Sequence, residues 1–556
     1  MESRASGRSV RLQLVGIALL AIGVLLRVRP LSVRLSPLAP DERLEPHTAH
    51  FLDGSGIYAI GAGLLVLAAS FHSTLRQVLA ATWRSPPGSE AHGRAWIGWV
   101  AVATFAARVA VGVRSDVGLG DDGSRVIWLL DWLEHPQFVR TGLWAPGHLY
   151  LHALVWVVVR DAVRAGVVLG ALASAGTVWL LGREVERTWG RIAGASAAVF
   201  VAVLPVSSAF GSTPDVNPVF AFLCAATVAC AARASRTGAW GWLGLGWVCA
   251  AFASWSRFEA FLLVPAFALP LWPRWRLAFA FGLACALPAL VWNGLLYLES
   301  GQALRVLSAV QADRTLAQPR TSQVFGFLGA WWQAVPLPVA VLGVAGMGRA
   351  LRFRCGREYV PLVVLHLGSL LAATWSTGTG NQARYLILLG SILAAYTGVA
   401  VAAMLQRSRR CGGALLVLAF GLTLVLPSAY PDPGVLWIQR SARLRGVVDC
   451  VAAVRVAQRL QAAPVVWVAD ESAFFFACRQ RIPVGLYHAL SRADTDPRPI
   501  LAVLKSQPDV LACVRMNAES ERRWADFLQI ASGRWACESL ASQCSGYRTY
   551  RLHRAS

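Results

Sequence analysis

Long apolar runs recur along the whole chain, each close to the length needed to cross a bilayer. A helix covers the hydrocarbon core with about 20 residues, within a range of roughly 17 to 25. Runs compatible with that length begin near residues 12, 55, 95, 165, 192, 216, 239, 258, 277, 326, 359, 385 and 412. In lipid every backbone polar group must be satisfied inside the segment, so runs of this kind fold as helices. The expected fold class is an α-helical polytopic membrane protein with about thirteen spans. The runs over 239–254 and 258–272 are short and are expected to tilt or to pair as re-entrant halves. The composition fits: the chain is 56% hydrophobic and 15% charged, whereas soluble domains run nearer a quarter charged.

The net charge of +22 does not point to nucleic acid. The arginines fall in small clusters between apolar runs and form no continuous basic face. Lys505 is the only lysine, a bias that says little about function. Arg4, Arg8 and Arg11 precede the apolar run 12–26, which ends at Arg27 and Arg29 without a small-residue cleavage site. A retained first span is therefore expected, and no cleaved leader.

The arginine clusters set an expected topology. They are Arg4/Arg8/Arg11, Arg76/Arg84/Arg94, Arg183/Arg187/Arg191, Arg233/Arg236, Arg274/Arg276, Arg349/Arg352/Arg354/Arg357 and Arg407/Arg409/Arg410. By the positive-inside rule all fall on one side if residues 142–164 do not cross the membrane. The N-terminus is then cytoplasmic in a plasma (inner) membrane, and everything after about 430 is extracytoplasmic. The segments 126–139 and 148–159 are apolar but interrupted, as in helices lying in the interface. No internal repeat of the inverted-repeat transporter kind is evident.

After 430 the pattern changes. Residues 464–469, 509–514 and 547–552 read as short strands, and 447–460 and 499–504 have helical spacing, so a small C-terminal α/β domain is expected. No glycine-rich phosphate loop follows the early strands. Cys224, Cys230, Cys249 and Cys285 lie in apolar runs and read as small core residues. Cys450, Cys478, Cys513, Cys537 and Cys544 lie in the tail, where Cys537 and Cys544 are the nearest candidates for a disulfide, and no zinc spacing appears. The expected domains are 1–94, two additional spans; 95–430, a catalytic transmembrane domain with an outer loop at 113–164; and 431–556, the α/β domain.

The polar residues that interrupt this scheme are the candidate site. Asp121-Asp122 follows the run 95–111, and paired carboxylates at a membrane boundary are costly unless hydrated, paired or used. One could act as general base on an acceptor while the other orients it or helps hold a divalent metal; an N-cap in a turn is the plainer account. Trp144 and His148, around Pro146, suit an interfacial turn. Asp215 precedes the run from 216, as a substrate-side carboxylate or as a cap. Arg257 and Glu259 sit between two short runs, where a charged pair is expected to be buried and mutually paired. Arg384 and Tyr385 stand at the start of a late run; an arginine fork suits a lipid phosphate, and interfacial snorkelling is the alternative.

In this order these residues resemble the C-type (GT-C) polytopic glycosyltransferases, nearest the family 39-like group of protein O-mannosyltransferases and aminoarabinose transferases. Asp121-Asp122 matches the acidic pair of that family's first outer loop, and residues 144–149 match its Pro-containing turn. Asp215 matches the acid of its next outer loop, and Arg384-Tyr385-Leu386 its Arg-Tyr-Leu. The resemblance covers roughly residues 95–556. It departs at Pro146-Gly147, where many relatives have Pro-Pro, and in the aromatic pattern after the acidic pair. The resemblance implies sugar transfer from a polyprenyl-phosphate donor to a lipid, glycan or protein acceptor at the extracytoplasmic face. It further implies inversion, with Asp121 or Asp122 as base and Arg384 or Arg257 at the phosphate. No cofactor is implied with certainty, although a divalent metal remains open. Two other classes fit the spans alone: a transporter or flippase of lipid-linked substrates, and a non-catalytic scaffold on the same fold. The first would be expected to carry midplane charges, and the second would tolerate loss of the acidic pair.

Overall fold

A computed structural model describes residues 94–114, 122–134, 145–301, 334–377, 383–407 and 409–425, a few isolated positions, and five strands between 466 and 554. The runs expected from 12 and 55 and the tail helices 447–460 and 499–504 lie outside the described elements, as do Asp121 and Trp144.

Helix α1 is Arg94–Arg114, α2 Asp122–Glu134, α3 Gly147–Val159 and α4 Ala162–Trp189. The run expected from 192 is two pieces, α5 Arg191–Val203 and α6 Pro205–Phe210. Pro205 opens α6, where its missing N–H costs nothing, but it ends α5 at Leu204. Next come α7 Val216–Thr237 and α8 Trp240–Ser256.

The short run from 258 is not a regular α-helix. It is a 3-10 turn Phe258–Leu263, a brief α9 Val264–Ala268, and a second 3-10 turn Leu269–Arg274 that leads into α10 Trp275–Ser300. Pro265, Pro270 and Pro273 interrupt the α ladder there. A 3-10 rise of about 2.0 Å per residue against about 1.5 Å for an α-helix stretches 258–274 to roughly 30 Å, the thickness of the hydrocarbon core.

The bundle closes with α11 Leu337–Phe353, a 3-10 turn Arg357–Tyr359, α12 Val360–Thr377, a 3-10 turn Ala383–Leu386, α13 Ile387–Arg407 and α14 Arg409–Val425. Among the described residues, six helical runs are long and apolar enough to cross a membrane: Trp96–Val113, Ala162–Trp189, Val216–Thr237, Phe258–Leu298, Arg357–Trp375 and Arg384–Arg407. Helix α3, at 13 residues, covers only about 20 Å and is too short to span.

Helix α13 is the axis of the bundle, buried along its apolar length and packed on α11 and α5. Small residues permit the approach, which in lipid rests on van der Waals contact between close backbones. A Cβ on Gly346 would stand 2.0 Å from the Tyr396 carbonyl oxygen, and one on Gly398 2.5 Å from that of Ala193. By contrast Trp96, Trp99, Leu154, Val158, Trp272 and Trp275 are exposed on the periphery, as lipid-facing and interfacial side chains are.

Ion pairs define one end of the bundle. Glu184 of α4 is held by Arg187 at 2.8 Å, by Arg233 of α7 at 2.7 Å and by Arg236 at 3.1 Å, and Arg236 also reaches Glu358 at 3.5 Å. Two of the arginine clusters expected to share a side therefore meet at this end, and Arg349 of a third stands there with its Cζ 5.2 Å from the Trp189 ring centroid. Asp215 caps the opposite end of α7, about 33 Å away for its 22 residues.

The tail holds a five-stranded sheet, β1 Val466–Val468, β2 Val484–Leu486, β3 Asp509–Arg515, β4 Trp535–Leu540 and β5 Tyr547–Arg554, in the order β2-β1-β3-β5-β4. The pairs β1–β2 and β1–β3 are parallel, and β3–β5 and β4–β5 antiparallel. Three strands were expected from the sequence; β2 and β4 are additional.

Candidate functional site

Three helix ends meet at the pole of the bundle opposite the Glu184 network, and each carries charge. The first is the start of α7. Asp215 takes extended backbone there and caps the helix, its Oδ1 accepting from the Asn217 backbone N–H at 2.7 Å and from Asn217 Nδ2 at 2.6 Å. Its Oδ2 faces Arg384 Nη1 at 3.3 Å. Both readings of Asp215 thus apply at once: it is a cap, and it is a charge partner. Asp215 and Arg384 are both buried.

The second is the end of α8. Arg257 breaks the helix in extended backbone, and its Nε and Nη2 form a two-point fork on Glu259, the Nε contact at 3.1 Å. Its Nη1 donates to Asn217 Oδ1, which ties this end to the first. Arg257 and Glu259 are mutually paired as expected, with Glu259 buried and Arg257 partly buried.

The third is the 3-10 turn Ala383–Leu386 at the head of α13. The Tyr385 ring receives two guanidiniums, Arg257 with its Cζ 4.4 Å from the ring centroid and Arg384 at 5.3 Å. The face of an aromatic ring attracts cations, so Tyr385 lets two like charges stand close while Asp215 and Glu259 neutralise them. The result is a cluster of two cations and two anions, of which only Arg257 is partly exposed. Five candidates spread over 170 residues of sequence (Asp215, Arg257, Glu259, Arg384 and Tyr385) lie together. Arg384 faces Asp215 at 3.3 Å, whereas Arg257 holds Glu259 through a two-point fork.

His148 belongs to a neighbouring polar cluster. It lies one helical turn from His152 in α3, the rings edge to face with centroids 5.7 Å apart, and Arg125 of α2 is within electrostatic reach of both. His152 Nε2 lies 2.7 Å from the Ala162 carbonyl oxygen. Burial, reinforced by the Arg125 charge, pushes His152 down to about 4 and His148 well below the usual histidine range, so both are neutral. Gly147 packs against Trp255, two residues before Arg257, with room for no Cβ.

Asp121 and Trp144 lie outside the described residues. Asp122 opens α2, and only its backbone is described. The described segments that flank them reach this same pole. Gly112, near the end of α1, packs on the Ser212 carbonyl, and α2 packs on α3 and α4. Seven residues separate Arg114 from Asp122, so the two lie at most about 28 Å apart. Among the described residues, no group of three or more His, Cys, Asp or Glu side chains is placed to hold a metal. Cys224, Cys230 and Cys285 are buried free thiols; Cys537 and Cys544 lie outside the described side chains.

Two residues of this pole were not singled out from the sequence. Arg108, inside the apolar run of α1, is buried and donates to the Ser207 carbonyl and, at 3.1 Å, to that of Ala202, satisfying backbone at the α5–α6 break. His366, inside α12, lies 3.0 Å from the Tyr385 carbonyl. Both are ionisable side chains within apolar spans, and that rarity is the signal that could have found them.

No protein-family model matches the chain, and no curated protein matches it. Solved structures do. ArnT from Cupriavidus metallidurans bound to undecaprenyl phosphate superimposes with a TM-score of 0.56 at 13% identity, over 83% of this chain and 98% of that one. Its apo form gives 0.52 at 12% identity, over 82% and 98%. The archaeal oligosaccharyltransferase AglB from Archaeoglobus fulgidus, with an inhibitory peptide and a dolichol-phosphate, gives 0.46 at 10%, over 83% and 74%. The chain therefore has the polytopic fold of ArnT, as the resemblance in its sequence led one to expect.

Proposed function

We propose that the protein is a membrane glycosyltransferase that moves a sugar from a polyprenyl-phosphate donor to an acceptor at the extracytoplasmic face. The observation that carries this is the convergence of Asp215, Arg257, Glu259, Arg384 and Tyr385 at the pole away from the arginine-rich end. By the positive-inside rule that pole is the outer one. The fold shared with a protein crystallised with undecaprenyl phosphate supports a lipid-phosphate donor.

The chemistry follows from the charges. A prenyl phosphate is a good leaving group, so no protein acid need protonate it. What is required is a base for the acceptor and positive charge where the phosphate departs. Arg384 supplies that charge by turning its guanidinium from Asp215 to the phosphate, with Tyr385 holding the guanidinium over the site. Arg257 stays bound to Glu259 and Asn217 and keeps the cluster closed. Asp121 or Asp122 takes the acceptor proton as the nucleophile attacks the anomeric carbon from the face opposite the phosphate, which inverts that centre. Asp215, released from Arg384, faces the acceptor, and His148 and Trp144 are further candidates for substrate binding. A divalent metal held by the acidic pair would supply further charge there.

Purified protein incubated with polyprenyl-phosphate sugars is expected to release prenyl phosphate. Asp121→Asn and Asp122→Asn together are expected to lower turnover by about 10²–10⁴, the usual worth of a general base. An unchanged rate in the double variant would reduce the acidic pair to a helix cap. No release from any polyprenyl-phosphate sugar by the wild type would sink the donor class.

A further inference from the structure

His366 is the lone ionisable side chain of α12 and is buried. Its Nε2 lies 3.0 Å from the Tyr385 carbonyl oxygen. A carbonyl only accepts, so Nε2 carries the proton, and a neutral ring then has its lone pair on Nδ1. The ring is also fixed from two other directions. Its centroid lies 6.0 Å from that of Phe220 on α7, the same ring that lies 5.7 Å from the Arg257 guanidinium. Helix α12 packs against the 3-10 turn Phe258–Leu263, which carries Glu259, and both Glu259 and Arg257 are within electrostatic reach of His366. One imidazole thus touches or faces all three elements whose charges form the site.

The bond falls where it matters most. Tyr385 sits in the short 3-10 turn Ala383–Leu386, next to Arg384, and its ring carries both guanidiniums. A 3-10 turn has poorer hydrogen-bond geometry than an α-helix and holds its own shape weakly. A cross-helix donor on the Tyr385 carbonyl pins the peptide plane from which the ring and the neighbouring Arg384 project. Without it the turn would lose a partly buried bond to the neighbouring helix.

We propose that His366 is a positioning residue: through the Tyr385 carbonyl it sets the turn that aims Arg384 and Tyr385 at the donor phosphate. This rests on the donor site proposed above, but it has a readout of its own. Gln can place an amide donor near the Nε2 position, Asn only near Nδ1, and Phe keeps the ring against Phe220 with no donor at all. Binding of undecaprenyl phosphate in detergent is expected to weaken about tenfold in His366→Phe and His366→Asn, the scale of one buried hydrogen bond. His366→Gln should recover most of that loss. Hydrogen exchange across residues 383–388 should speed up in Phe and Asn more than in the rest of the bundle, and stay near wild type in Gln. Should Phe fail to accumulate, the Gln and Asn variants give the same comparison. Wild-type binding and exchange in Phe and Asn, or a Gln variant no better than Asn, would overturn the proposal. If the wild type binds no undecaprenyl phosphate, the donor reading fails instead, and exchange alone decides the positioning role.

Discussion

Asp215 does two jobs with its two oxygens, and the two can be separated chemically. Oδ1 caps α7 through Asn217, and Oδ2 pairs with Arg384. Asn is as good a cap as Asp but carries no charge. Asp215→Asn is therefore expected to keep the helix end and leave Arg384 buried beside a neutral amide, whereas Asp215→Ala loses cap and charge together. In thermal unfolding in detergent, Ala should fall below Asn by roughly 1 kcal/mol, the worth of a cap. In sugar transfer both should be strongly impaired. Equal unfolding temperatures for the two would mean that the cap is not felt. Arg384 is tested by the same logic: Arg384→Lys keeps the charge but loses the fork and should retain partial activity, while Arg384→Ala should lose most of it. Donor affinity unchanged in Arg384→Ala would return that residue to a snorkelling anchor and leave Arg257 as the phosphate's partner.

At the scale of elements, the site depends on helices that pack closer than ordinary side chains permit. Gly343 and Gly346 of α11 lie against the Leu393 and Tyr396 carbonyls of α13, and α13 carries the Arg384–Tyr385 turn at its head. A methyl at Gly346 meets backbone, which cannot rotate away, so Gly346→Ala should cost about 1–3 kcal/mol as overpacking. Gly98 of α1 has nothing within 4 Å of a built Cβ, so Gly98→Ala should be neutral or slightly stabilising through helix propensity. Differential scanning of the two variants checks this; equal unfolding temperatures would show that α11 moves freely on α13. The break between α5 and α6 is maintained in a related way. Pro205 removes one N–H from the ladder, and Arg108, reaching from α1, satisfies the Ala202 and Ser207 carbonyls near the break. Two helix C-termini, each with partial negative charge, also offset the buried guanidinium.

At the scale of the molecule, charge is divided between two poles. One holds arginines in excess around Glu184, and the other a balanced cluster. The expected orientation puts the arginine pole in the cytoplasm and the tail outside, and a reporter fused after Ser556 should read as extracytoplasmic. A cytoplasmic reading there would reverse the topology and remove the acidic pair from the face where the donor is proposed to react.

Much of this was legible in one dimension because a bilayer imposes a length rule on every apolar run. Runs starting near 95, 165, 216, 359 and 385 correspond to helices in the structure, and the interruption of 142–164 corresponds to the short α3. The short apolar runs at 464–469 and 509–514 and the alternation at 547–552 marked three strands; β2, only three residues long, and β4, whose Trp535–Leu540 mixes polar and apolar positions, lack such patterns. Candidate charges were equally visible, since an ionisable residue at a membrane boundary is expensive wherever it occurs. Their partners were not. That Arg384 meets Asp215 across 169 positions, that one tyrosine ring carries both guanidiniums, and that His366 reaches the Tyr385 carbonyl are consequences of how the helices pack. Periodicity along a helix specifies which face is apolar, but only the packed bundle decides which two helix ends share a pole and at what distance their side chains stand.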